Sequence, residues 1–317
     1  MSAPQAIHTN SHQQPSAHAR EIVRGAFDLH VHTGPDLLPR SASDLELAQR
    51  CRERGLAGFV IKSHYVPSAP RAAVVRALVP EIVALGSVTL NAAIGGINDV
   101  AVEIAAREGA RIVWMPTFDS ANEMSGHASL PPGAKQPQWA RLQQELREQG
   151  IGGEPVRVTN VVGAVLPEVR RVLRSIARHR LVLATGHLSR DEIFAVVVAA
   201  RDEGVADIII THPEYPSQNL SADDQLALAR QGAYLERCFA PAYTGKVPWE
   251  RMFANIRATG VEHSLLSTDL GQPDNPPIED GLALLVDRLL AAGFTDDEAH
   301  SMAVVTTRRL ALGGRES

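Results

Sequence analysis

The chain has 317 residues, with 31 basic and 36 acidic side chains and a formal net charge of −5 when histidine is neutral. Hydrophobic residues make up 44% and charged ones 21%, the profile of a soluble globular protein long enough to bury a real core. The slight acidity excludes the basic surface that nucleic acid requires, no apolar run approaches the roughly 18 residues of a membrane span, and two cysteines exclude a disulfide framework and predict a reduced, cytoplasmic setting.

Residues 1–20 are polar, without period and without the apolar stretch of a secretory leader, and are expected to form a disordered tail. His8, His12 and His18 fall there, where ordering a ligand set is costly. Residues 21–317 are expected to form one domain. From Gly25 onward short apolar runs alternate with helical patterns: Ala26–Val31, Ala57–Ile61, Ile82–Leu90, Arg111–Met115, Leu181–Ala184, Ala206–Ile210, Ala233–Cys238 and His263–Ser267. Ser43–Glu46, Ser189–Glu192 and Thr295–Glu298 have the spacing of capping boxes, and glycines such as Gly55, Gly109, Gly204, Gly232 and Gly260 stand where helices should end. Few aromatics and many Ala, Val, Leu and Ile suit parallel strands buried on both faces. Eight strand-then-helix units predict an α/β fold, a closed (β/α)8 barrel. The alternation lapses over residues 117–166, a Gly-, Pro- and Gln-rich insertion after the fourth strand with a hairpin-like stretch near Val156–Val162. Such an insertion serves either as a lid over the barrel mouth or as a solvated loop.

The chemistry gathers at the strand ends. The first strand closes with His30 and His32, two apart and therefore on one side. The second closes with Lys62 and His64, the fifth with His187, the sixth with His212 and the eighth with Asp269. At the C-terminal rim of a barrel these side chains converge. Imidazoles with one carboxylate and open positions are the ligand set of a catalytic divalent ion: zinc first, manganese or iron as alternatives, one or two ions per chain.

This order of motifs resembles the amidohydrolase superfamily, in its phosphotriesterase- and lactonase-like branches: HxH on strand one, His on strands five and six, Asp on strand eight. The likeness spans about Gly25 to Leu312. It implies His30, His32, His187, His212 and Asp269 as ligands, with Asp269 also accepting a proton from water. It implies hydrolysis of an amide, cyclic amide or lactone in a small polar substrate, with His212 or Lys62 stabilising the oxyanion. Strand four departs from the pattern, reading Ile112 to Thr117 with no bridging Lys or Glu; either Lys62, as a carbamate, Asp119 or Glu123 replaces it, or a single metal is held and His212 is left free to act on the substrate. His64 is similar to a ligand of the polymerase-and-histidinol-phosphatase phosphoesterases, although Asp269-Leu270-Gly271 stands where that family has Asp-x-His; His64 is read as a metal ligand or a substrate contact. A metal-dependent decarboxylase and a non-catalytic metal- or ligand-binding barrel are the other readings. Tyr65, Asn91, Asp119 and Arg237 are candidate substrate contacts, with Ser120, Asn122 and Tyr243 as weaker ones. Asp28 is read as an acceptor orienting a ligand imidazole, and Cys238 as core. The expected partner is a small-molecule substrate; apolar helix faces either support a second copy of the chain or are ordinary exposed apolar residues.

Overall fold

A computed structural model describes residues 12–128 and 138–313. Eight parallel strands follow one another in chain order: β1 (Phe27–Val31), β2 (Gly58–Ile61), β3 (Val83–Thr89), β4 (Ala110–Trp114), β5 (Val182–Ala184), β6 (Asp207–Ile210), β7 (Tyr234–Cys238) and β8 (Ser264–Ser267). Seven lie within their predicted runs, and β4 begins one residue before its own. The ring closes between β8 and β1 by backbone bonds just past β8, His32 N to Leu270 O and Asp269 N to His30 O, both 2.8 Å. Asp28 reinforces the seam. Its Oδ1 accepts from Thr268 N at 3.1 Å and its Oδ2 from Thr268 Oγ1 at 2.5 Å. The result is the (β/α)8 barrel.

Helices wrap the outside: α1 (Ala17–Ile22), α2 (Asp44–Arg54), α3 (Ala69–Leu78), α4 (Asp99–Arg107), α5 (Ala121–Ala128), α6 (Gln138–Glu148), α7 (Pro167–Arg178), α8 (Arg190–Asp202), α9 (Ala222–Arg230), α10 (Phe239–Tyr243), α11 (Trp249–Thr259), α12 (Ile278–Ala291), α13 (Asp296–His300) and α14 (Thr306–Leu312). The three predicted capping boxes open α2, α8 and α13. A fourth, Ser221 with Asp224, opens α9; its shorter carboxylate hid it from a pattern that asks for Glu. Gly55 ends α2 in the left-handed conformation, φ 74°.

Alternation along the strands divides the core in two. Phe27, Leu29, Val60, Ile112, Trp114, Val182, Ile209 and Leu265 fill the barrel, whose N-terminal end is closed by Leu310 and Ala311 of α14. Val31, Phe59, Ile61, Val113, Leu183, Leu235 and Leu266 face the helices. Leu29 inside and Val31 outside break strict alternation, and the β1 register shifts between Asp28 and Val31 to accommodate it.

The N-terminal expectation needs correcting. Residues 1–11 lie outside the described residues, but 16–22 are ordered: Ser16 caps α1, and Arg20 Nη1 donates to the buried Asp280 of α12 at 2.6 Å. The missed signal is Ser16, a cap residue followed by a turn of Ala and Ile that α12 buries. The insertion contains α5 and α6 and returns along the barrel through a Ser120–Val156 bridge, an antiparallel Thr159–Val165 bridge and the buried Val158. Among the described residues no helix is long and apolar enough to cross a membrane.

Candidate functional site

The strand ends meet at a cavity of about 360 Å³ whose lining includes His32, Lys62, His64, His187, His212 and Asp269. His30 sits beneath it, fully buried. Asp269 Oδ1 lies 3.1 Å from Nε2 of His30 and 3.1 Å from Nε2 of His32. The far nitrogen of each ring is taken. His30 Nδ1 is 3.2 Å from both oxygens of Glu236, and His32 Nδ1 is 3.1 Å from the Lys62 carbonyl.

That arrangement has an electrostatic consequence. A neutral imidazole carries one proton. Burial, then the Arg40 charge, hold the His32 pKa down at about 3, so its proton belongs on Nδ1, toward the carbonyl. Its Nε2 lone pair then faces a carboxylate oxygen with no proton between them. Burial and Lys62 oppose protonation of His30, but Asp269 and Glu236 outweigh them and raise its pKa. Three donor atoms therefore converge on one point and call for positive charge there. The His30–His32–Asp269 ligand atoms lie within 4.8 Å of one another. Their 3.1 Å separations compare with roughly 3.3 Å between ligands on one tetrahedral zinc ion at ordinary bond lengths. Glu236 and the Lys62 carbonyl are outer partners of the kind that orient imidazoles in metal sites. The donor set fits a divalent cation.

His187 and His212 line the same cavity, ring centroids 5.0 Å apart. His187 Nδ1 is 3.2 Å from Glu123 Oε2, while Ser120 and Asn122 bond its backbone carbonyl at 3.0 and 3.1 Å. Glu123 thus lies against the His187 imidazole, within ion-pair distance. His212 Nδ1 is buried without a partner, and burial, then His187, lower its pKa to about 3. Among the described residues, ligand-type atoms come together in threes at His30–His32–Asp269 and at His30–Glu236–Cys238. His187, His212 and His64 stand outside both groups. Two of the site residues carry positive φ without being glycine: His212 at 25° and Asp269 at 53°. Such strain concentrates at functional positions.

Lys62 is buried, its Nζ 2.9 Å from His30 Nε2 and 4.2 Å from the Trp114 ring centroid. Burial lowers its pKa. Trp114 occupies the inward position at the end of β4, where the sequence lacks a bridging group. His64 is packed between His32 (4.9 Å) and Phe118 (3.8 Å), with Nδ1 2.8 Å from Thr117 Oγ1.

Several candidates belong elsewhere. Arg237 points out of the barrel, since Glu236 takes the inward position of β7. It is fully buried against Glu214, with Gln225 at 2.6 Å and Thr259 at 3.1 Å, and it touches no cavity at the mouth. Period-two reading of Tyr234-Leu235-Glu236-Arg237 carries that signal and points to Glu236, which the sequence reading missed. Asn91 is a brace: its Nδ2 donates to His64 O and Thr117 Oγ1, and its Oδ1 accepts from Thr117 N. Asp119 accepts from Ala92 N and Gln143 Nε2, and with Tyr65 it lines a neighbouring cavity of about 280 Å³ under the insertion, not the mouth. Tyr243 stacks on Phe239, away from the mouth. Asp28 bonds the backbone of His30 and of Thr268, not an imidazole. Cys238 is core, its thiol pKa pushed up by burial.

Solved structures share this architecture. An amidohydrolase from Pseudomonas aeruginosa superposes with a TM-score of 0.59 at 12% identity, covering 92% of this chain and 98% of that one. A metallopeptidase from Rhodobacter sphaeroides, bound to a phosphinate mimic of the dipeptide L-Ala-D-Ala, gives 0.55 at 13% identity, covering 91% and 98%. At such identities the likeness is one of fold. No curated protein matches the chain. A family model matches residues 25–236, the stretch that holds every site residue above except Asp269. The chain belongs to that family, DUF6282, a family of unknown function.

Proposed function

We propose that this protein is a metal-dependent hydrolase that cleaves an amide, cyclic amide or lactone bond in a small polar substrate. One observation carries the reading: the Nε2 atoms of two imidazoles and a carboxylate oxygen converge at 3.1 Å with both far ring nitrogens occupied. His30, His32 and Asp269 would hold the ion, with His187 and His212 able to complete or extend the set. When bound, a divalent cation supplies Lewis acidity toward a carbonyl and toward water.

The chain's own groups supply the rest. Asp269 lines the cavity, and its Oδ2 has no hydrogen-bond partner among the described residues. Burial opposes its charge, but His30, whose own pKa is raised, outweighs it and keeps the carboxylate ionised. It can therefore take a proton from water and return it to a leaving nitrogen or oxygen. His212, held neutral, has an N–H to offer a developing oxyanion. Lys62 places a second donor beside His30. His64, tied to Thr117 and packed on Phe118, supports the role of substrate wall rather than that of a third metal's ligand.

The test is turnover of N-acyl amino acids, cyclic imides, lactones and p-nitrophenyl phosphate by zinc-loaded protein in ¹⁸O-labelled water. Label in the product carboxylate, with activity lost after chelation, is expected. Carbon dioxide release without label would identify a decarboxylase, and phosphate release a phosphoesterase; either displaces the proposal.

A further inference from the structure

Arg40 lies in the loop between β1 and α2, where it lines the mouth. Its Nε and Nη2 both donate to Asp36 Oδ2, at 3.0 and 2.8 Å, and its side chain is only 6% exposed. The guanidinium is thus locked in place by a fully buried carboxylate, while Nη1 has no protein partner among the described residues. Lys246, in the turn after α10, lines the same cavity. It donates to Tyr215 Oη at 3.0 Å and forms no ion pair among the described residues. Arg40 is paired by Asp36 through Nε and Nη2 only, Asp269 lies against the two imidazoles, and Asp274 sits on the exposed rim.

A fixed guanidinium edge and a free ammonium beside a hydrolytic centre are recognition elements for an anion. The few donors left open, one guanidinium nitrogen and one ammonium, suit a singly charged, two-oxygen group better than a phosphate dianion. We propose that the mouth takes a small carboxylate substrate, its carboxylate received by Arg40 Nη1 and neutralised by Lys246, with the scissile bond over the His30–His32–Asp269 group. The placement of the scissile bond rests on the hydrolase reading; the anion site does not.

The experiment is calorimetric titration of full-length protein, chelator-treated and zinc-loaded, with glutarate, its uncharged isostere glutaramide, and inorganic phosphate. Glutarate is expected to bind the metal-free protein. Arg40→Gln should weaken binding about tenfold, the worth of a charge-assisted hydrogen bond. Lys246→Gln, which leaves the Arg40–Asp36 pair intact, should weaken it about threefold, as expected of an exposed charge. Glutaramide should not compete. Equal binding of glutarate and glutaramide, no glutarate binding, or binding confined to zinc-loaded protein and unchanged in both variants would overturn the anion site. Phosphate binding more tightly, with the same dependence on Arg40, would overturn the carboxylate assignment. Failure of the hydrolase reading shows separately, as absent metal or absent turnover.

Discussion

Asp269 has two jobs assigned to one carboxylate, and they separate by substitution. Asp269→Asn removes the proton acceptor and a charged ligand while keeping the shape. Turnover should fall by about 10³ or more, given what a positioned acid–base group and an electrostatic partner each contribute, while the melting temperature of the metal-free protein stays close to wild type. Near-normal turnover would remove Asp269 from the chemistry. Glu236→Gln tests the outer partner of His30: zinc affinity should drop about 10- to 100-fold, the usual effect of losing such a group, with the metal-free fold retained. Gly186 sets a steric limit nearby. Its φ is 61°, and a Cβ there would lie 2.3 Å from the Met115 carbonyl. Gly186→Ala should therefore destabilise the protein by several kcal/mol, of the order of ~3, because both the backbone conformation and the space oppose it.

Elements fix what residues can reach. β7 presents Glu236 inward and Arg237 outward, and the outward side chain forms a buried ion pair with Glu214 that also gathers Gln225 and, through Glu214, Asn255. Truncating Arg237 to Leu leaves a buried carboxylate unpaired and should cost about 3–5 kcal/mol in denaturant unfolding. Glutarate affinity should not change; a loss of affinity without loss of stability would return Arg237 to the substrate site. The positions of all eight strands were legible because aliphatic runs ended by glycine or a cap residue leave little freedom in a parallel sheet. His30, His32 and Asp269 were legible because strand ends of one barrel share a rim. Side-chain direction was harder to read. Arg237 was misplaced by one position of alternation, and Glu236 was overlooked because it lies inside the strand rather than after it. Arg40 and Lys246 come from loops, where no period indicates which way a side chain turns.

At the scale of the molecule, the barrel closes at the point where the site is built. The β8–β1 seam passes through Asp269 N to His30 O and through Asp28 to Thr268, so the groups proposed to hold the ion also join the two ends of the sheet. A bound ion should therefore stabilise the whole fold: at a free concentration of 1,000 times Kd, linkage gives about 4 kcal/mol, readable as a melting temperature that falls by several degrees on chelation and recovers with zinc. α1 docks on α12 through Arg20 and Asp280, about the barrel's circumference rather than its mouth. The central claim is that His30, His32 and Asp269 form a metal centre, and elemental analysis of the purified full-length protein tests it most directly. One or two equivalents of zinc, manganese or iron per chain in the wild type, reduced by at least one in His32→Gln protein that still melts cooperatively, is the result predicted here. No metal under replete conditions, or an unchanged content in the folded variant, would contradict it.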